Sequence, residues 1–211
     1  MADNYLEKRM EQHREAVKAP VAKHKNTLGL LLEKNRSTRL FDTSFVVRED
    51  QLRRIVSVNS RVASARNRQS LRFRLVTGDE VKALLPFIKM GSALKDVQLP
   101  QAGYEPNAFI VVCSTIEPRQ STFVDLGISV QSMLLQAVEI GLNGVCIMSF
   151  DKQQVTELLA LPFEPLMVVA VGRSAERVKV VDINAGGSCG YYREEGVHCV
   201  PKIVPDDLII K

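Results

Sequence analysis

The sequence predicts an α+β fold in which a mixed sheet is sandwiched between helices, a three-layer α/β/α arrangement. Three observations lead there. Helical and strand-like patterns alternate through the middle of the chain; the run Phe109 to Cys113 is continuously apolar, as a strand covered on both faces requires; and the tail reads as a hairpin rather than a further helix. With 211 residues, 45% of them hydrophobic, the chain can bury a core without staples, and one main domain is expected over residues 26–211, preceded by a helical extension over 1–25.

In order along the chain, Leu6, Met10 and Val17 recur at helical intervals among charges between Tyr5 and Lys18, an amphipathic helix that Pro20 ends. Thr27 can cap a second helix through Leu28, Leu31 and Leu32. A third follows, with Glu49 and Asp50 in its first turn and Leu52, Ile55 and Val56 as its buried stripe. Phe73 to Thr77 alternates as a strand, and Val81 to Ile88 reads as helix. From Asp125 to Ile140 the positions Leu126, Val130, Met133, Leu134, Ala137 and Val138 keep helical spacing, and Gly141 stands where a C-terminal cap belongs. Gly144 to Met148 and Leu166 to Val171 read as strands, joined by a helix from Lys152 to Leu159 that Asp151 can cap. Val178 to Ile183 and Cys189 to Tyr192 flank Gly186-Gly187 as a predicted hairpin, and Val197 to Lys211 reads as an extended arm.

Composition narrows the function classes. The longest apolar runs fall far short of the roughly 20 residues that cross a bilayer, and the polar N-terminus lacks a signal-peptide apolar region, so a cytoplasmic protein without membrane contact is expected. Cys113, Cys146, Cys189 and Cys199 have no C-x-x-C spacing and are read as reduced thiols. The formal charge of +4 suits an anionic ligand but is too mild to demand nucleic acid. No G-x-G-x-x-G or P-loop occurs; His13, His24 and His198 serve a hydrolytic triad poorly; and Cys189, His198 and Cys199 lack a fourth metal ligand. What remains is a cofactor that brings its own reactivity.

Two segments could grip one. Arg36-Ser37-Thr38-Arg39 offers two guanidiniums and two hydroxyls to a single anion, as a phosphate monoester requires, or else is a solvated basic turn. Ala63 to Phe73 places small residues around Ser64, and Asn67 and Gln69 two apart. Amides that donate and accept suit the pyrimidine edge of a flavin; the alternatives are an arginine-rich surface loop or a nucleic-acid patch, with Arg61, Arg66, Arg68, Arg72 and Arg74 clustered here. Few aromatics lie nearby to stack bases, so no nucleic-acid partner is expected.

Asn35 to Asp42 resembles the R-R-S-x-R-x-F opening of the nitroreductase family, Ala63 to Phe73 resembles its P-S-x-x-N-x-Q-P-W-x-F, and Asp125 to Leu142 its long central helix. Tyr191 to Glu195 and Val197 to Lys202 are similar to a subfamily ending, Y-x-R-D-E followed by V-H-x-V-P-K. The resemblance implies an intertwined homodimer with FMN at the interface, reduced by NADH or NADPH and reoxidised by a small-molecule acceptor such as a nitroaromatic or quinone in ping-pong fashion. It implies that Arg36, Ser37 and Arg39 reach the phosphate, ribityl chain and pyrimidine edge, and that Lys202 returns to the phosphate. Ser64, Asn67 and Gln69 come from the other subunit or the adjoining wall, and Met148 and Ser149 pass the flavin N5 with a backbone N–H. No side chain need act as nucleophile or base, and no metal is required. The chain departs from the pattern at Asn35, Ile203 and Ser70-Leu71. The first two remove positive charge from the phosphate site, and the last loosens a rigid turn, leaving open an FMN-binding protein with little turnover.

Overall fold

The computed structural model describes residues 27–90 and 99–210. The predicted helix from Tyr5 to Lys18, and with it the extension over 1–25, lies outside them.

The main sheet has four strands, β1 (Leu71–Thr77), β2 (Ala108–Ser114), β3 (Asn143–Ile147) and β4 (Glu164–Gly172), in the order β1-β2-β4-β3. Its central pair, β2 and β4, carries the continuous apolar runs, and every residue of β2 is buried. Alternation splits them between two cores. Ala108, Ile110 and Val112 face helices α2 (Glu49–Ser57) and α4 (Gln120–Glu139), which bury Leu52, Ile55, Leu126, Val130 and Met133. Phe109 and Val111 face the opposite layer, with Val81 and Leu84 of α3 (Asp79–Leu84) and Val155 of α5 (Lys152–Leu158). The sandwich of helix, sheet and helix is as expected.

The direction of the strands is not. Every ladder of the main sheet is antiparallel. A right-handed crossover between parallel neighbours needs a helix long enough to carry the chain back along a strand. Helix α3, with six residues at about 1.5 Å each, covers only about 9 Å. The 20 residues of α4 do make the return, so β2 and β3 point the same way, but β4 inserts between them and pairs antiparallel with both. Helix α4 also starts earlier than its apolar stripe, because its first turns expose Phe123 and Val124.

A smaller sheet follows, β5 (Arg177–Ile183), β7 (Val197–Ile203) and β6 (Tyr192–Glu194), in the order β5-β7-β6. The hairpin predicted at Gly186-Gly187 is absent. β5 instead pairs in parallel with β7 over seven registers, against the three that the short β6 offers β7. The hairpin lies at Glu195-Gly196, whose φ values of 49° and 75° match the two-residue turn that antiparallel strands prefer. Part of the expected extended arm is therefore strand β7.

Helix α1 (Leu28–Lys34) begins at Thr27, whose hydroxyl accepts from the Leu30 N–H at 3.4 Å. It buries none of its residues, and Leu28, Leu30 and Leu32 stand exposed against solvent beside α4. Asp151 caps α5 by accepting from the Gln154 N–H. Among the described residues no helix is long and apolar enough to cross a membrane, and no His/Cys/Asp/Glu group could hold a metal ion.

Candidate functional site

Helix α1 stops at Asn35, and the chain then runs along the edge of β3. Ser37 bridges Gly144 in parallel, and the Thr38 N–H donates to the Gly144 carbonyl at 3.2 Å. Thr38 is buried and Phe41 fully so, which pins the segment from below. Gly144 is required for this fit: a Cβ there would lie 2.5 Å from the Ala170 carbonyl oxygen and 2.9 Å from Leu134 Cδ2.

The loop presents its charged groups in two ways. The Arg36 guanidinium folds back on α1, with Nε donating to the Glu33 carbonyl at 2.9 Å and Nη2 to that of Leu32, where cations complement the helix C-terminus. Arg39 is held at both ends: its N–H donates to Glu176 Oε2 at 2.7 Å, and its guanidinium lies 5.1 Å from the centroid of the Tyr191 ring. The Glu176 side chain is 3% exposed and its other oxygen accepts from Arg193 at 3.1 Å. One buried carboxylate thus joins the loop after α1 to strand β6.

Strand β7 completes the wall. His198, Val200 and Lys202 share one face by strand alternation, and all three line a cavity of about 340 Å³ together with Asn35, Arg36, Ser37 and Arg39. Leu134, Val178 and the Tyr191 ring supply apolar surface. His198 is buried, meets Tyr191 edge-on with centroids 5.2 Å apart, and leaves its Nδ1 without a partner among the described residues. Burial pushes its pKa below the usual imidazole value, and the neighbouring Arg39 and Arg193 add to the effect against the opposing pull of Glu176.

Four predicted residues, Arg36, Ser37, Arg39 and Lys202, thus converge from the two ends of the domain. The others do not join them within one chain. Ser64 and Gln69 line a second cavity of about 300 Å³ with Ser70, Leu71, Asp125 and Ser129. Asn67 sits beside it, its Oδ1 accepting from Gln69 Nε2 at 3.1 Å. This loop is unusual: Arg66, Asn67 and Gln69 all have left-handed backbones, with φ of 54°, 53° and 49°. Such conformations cost free energy and persist where surroundings impose them. Here Asp125 accepts from the Ala65 N–H at 2.8 Å and Ser64 Oγ from the Gln69 N–H at 3.2 Å. Met148 and Ser149 follow β3 and line neither cavity; Met148 is 64% exposed, and the Ser149 carbonyl accepts from the Lys89 N–H.

Sequence reasoning missed Glu176, Tyr191, His198 and Gly144 as parts of the site. The period-two spacing of His198, Val200 and Lys202 carried a readable signal; nothing near Glu176 in the sequence did.

The sequence model of the Nitroreductase family matches residues 32–173, about two-thirds of the chain, running from the last turn of α1 to the residue after β4. The chain belongs to the nitroreductase family. Solved structures share its fold. A nitroreductase family protein from Streptococcus pneumoniae TIGR4 superposes with a TM-score of 0.62 at 18% identity, covering 88% of this chain and 99% of that one. A variant of the FMN and NADPH-dependent nitroreductase NfnB from Sphigopyxis sp. strain HMH gives 0.59 at 19% identity, covering 71% and 89%. An FMN complex of a nitroreductase-type protein from Exiguobacterium sibiricum 255-15 gives 0.59 at 18%, covering 73% and 91%. Among curated proteins none matches the chain. The family assignment rests on that sequence model, and these solved structures show the α+β fold that the chain shares with them.

Proposed function

We propose that this nitroreductase-family member is an FMN-dependent NAD(P)H oxidoreductase of the cytoplasm that reduces nitroaromatic, quinone or related acceptors by ping-pong hydride transfer. The observation that carries the reading is the convergence of Arg36, Ser37, Arg39 and Lys202 on one cavity. Its donor set fits FMN: two guanidiniums, an ammonium and a hydroxyl match a phosphate and a carbonyl-rich edge, while Leu134, Val178 and Val200 match a flat apolar ring system. In this reading Lys202 and Arg36 hold the phosphate, Arg36 giving up its helix-capping bonds to do so. Ser37 holds the ribityl chain, and Arg39, fixed through its backbone by Glu176, supplies positive charge to the pyrimidine edge. Bound FMN would supply the redox chemistry, taking hydride from the nicotinamide and passing it to the acceptor. No protein nucleophile, base or metal takes part.

A second copy of the chain completes the site. Ser64 and Gln69 line a different cavity in their own chain and Asn67 sits beside it, so in this reading all three reach the first cavity from a partner. The exposed Leu28, Leu30 and Leu32 of α1, with Phe123, Val124 and Ile128 of α4, supply apolar surface for that contact. Met148 and Ser149, at the end of β3, bring a backbone N–H towards the flavin. A second reading, an FMN-binding protein with little turnover, draws on Ser70-Leu71, which stands where the family pattern has Pro-Trp, and on the charged residues at the start of the chain. Anaerobic titration with NAD(P)H separates the two: rapid bleaching of the flavin supports the enzyme, and persistent colour supports the binder. The double variant Arg36→Ala with Lys202→Ala is expected to fold but to purify colourless. Stoichiometric FMN in that variant would mean the phosphate is held elsewhere.

A further inference from the structure

The arginines around the Ser64 to Gln69 loop are not used by the reading above. Elsewhere Arg48, Arg53, Arg54, Arg74, Arg173 and Arg193 each meet a carboxylate. Arg61, Arg66 and Arg68 are exposed and, among the described residues, meet none; the Arg72 guanidinium spends itself on the Gln69 and Leu71 carbonyls at 2.8 Å. Three uncompensated cations in eight residues repel one another and favour an anion that joins them.

The scaffold beneath them is rigid rather than loose. The buried Asp125 holds Ala65, Ser64 holds Gln69, and the left-handed turns at Arg66, Asn67 and Gln69 fix where each side chain leaves the backbone. Arg66 and Arg68 also alternate with Asn67 and Gln69, whose amides bond to each other. If those amides reach the flavin of the partner, the two guanidiniums rim the face over which a hydride donor must lie. NADH and NADPH differ there by one 2′-phosphate, a near-dianion that arginine can bind bidentately.

Resting on the oxidoreductase reading, we infer that Arg66 and Arg68, with Arg61 beside them, select a nicotinamide donor carrying a 2′-phosphate, NADPH over NADH. FMN itself is not their ligand; Arg36 and Lys202 serve its phosphate.

The test uses the full chain loaded with FMN. Wild-type protein should use NADPH with a kcat/KM at least about tenfold above that for NADH, and calorimetry should show 2′,5′-ADP binding at least about tenfold more tightly than 5′-AMP. Combining Arg66→Asn, chosen because Asn tolerates the left-handed backbone, with Arg68→Gln should bring both ratios close to one while FMN content is retained. If the double variant fails to fold, Arg68→Gln alone carries the test, since Arg68 has an ordinary φ of −71°. Equal efficiency with both donors in the wild type overturns the inference and leaves the oxidoreductase reading standing. So does a ratio that survives the substitutions, which puts the 2′-phosphate elsewhere. Loss of FMN from the variants overturns it by assigning these cations to the flavin phosphate, and displacement of 2′,5′-ADP by a short RNA at equal phosphate concentration assigns them to nucleic acid. Flavin that stays oxidised with either donor sinks both readings together.

Discussion

Glu176→Gln isolates what the buried carboxylate does, because it keeps the shape of a side chain that is 3% exposed and removes its charge. The Arg39 N–H, at 2.7 Å, would exchange a charged acceptor for a neutral one, a loss of about 1 kcal/mol. The new amide N–H₂ would face Arg193, donor against donor, where an accepted bond of 3.1 Å now stands. Arg193 is 33% exposed, so solvent screens part of that loss, and roughly a further 1 kcal/mol is a fair upper figure. The combined 2 kcal/mol or so acts on the loop that presents Arg39. If all of it must be recovered when FMN orders the loop, the FMN Kd rises by roughly 30-fold. Urea unfolding of the apoprotein, read at unchanged slope, should show the stability loss, and an FMN titration should show Kd raised between about threefold and 30-fold. A Kd within about twofold of wild type, with the stability loss present, would refute the claim that Glu176 positions Arg39 for the flavin.

Gly144→Ala should destabilise by roughly 1–3 kcal/mol and lower Tm by several degrees, because its Cβ meets the Ala170 backbone oxygen at 2.5 Å and a backbone has to move; an unchanged Tm would contradict the close approach. His198 gives a pH dependence whose sign is fixed. Its folded pKa lies below the ordinary 6.5, so between the two values the unfolded chain binds more protons, and stability falls as pH drops from about 7 through that window. His198→Gln should flatten this part of the profile when urea midpoints are compared at about pH 7.5 and pH 5.5; an unaltered slope would assign it to other groups.

The layered fold was legible because burial leaves a plain record. Phe109 to Cys113 and Leu166 to Val171 are apolar throughout because helices cover both faces of β2 and β4, and the stripe from Leu126 to Val138 marks the helix that covers one of them. Strand direction left no such record. The insertion of β4 between β2 and β3 is decided by how far each connection can reach, and apolar periodicity is blind to that. The tail misled for a similar reason: Gly186-Gly187 has turn chemistry, yet pairing strength over seven registers of β5 with β7 outweighs it, and the left-handed pair Glu195-Gly196 makes the hairpin instead. At the site, Arg36, Ser37 and Arg39 stood out as guanidiniums and a hydroxyl packed into one short segment, and Lys202 only through the resemblance of the tail; the structure brings all four to one cavity. Glu176 and the Tyr191–His198 contact were not visible in the sequence, since they matter only through distances to residues far away in the chain.

The most direct measurement is the visible spectrum of the full-length protein after incubation with FMN and gel filtration. Cations converging on a cavity that also carries apolar surface predict a protein fraction that stays yellow with about one flavin per chain, and that loses its colour when Arg36 and Lys202 are both replaced by Ala. A wild-type fraction that emerges colourless, with all FMN in the small-molecule volume, would contradict the account at its root.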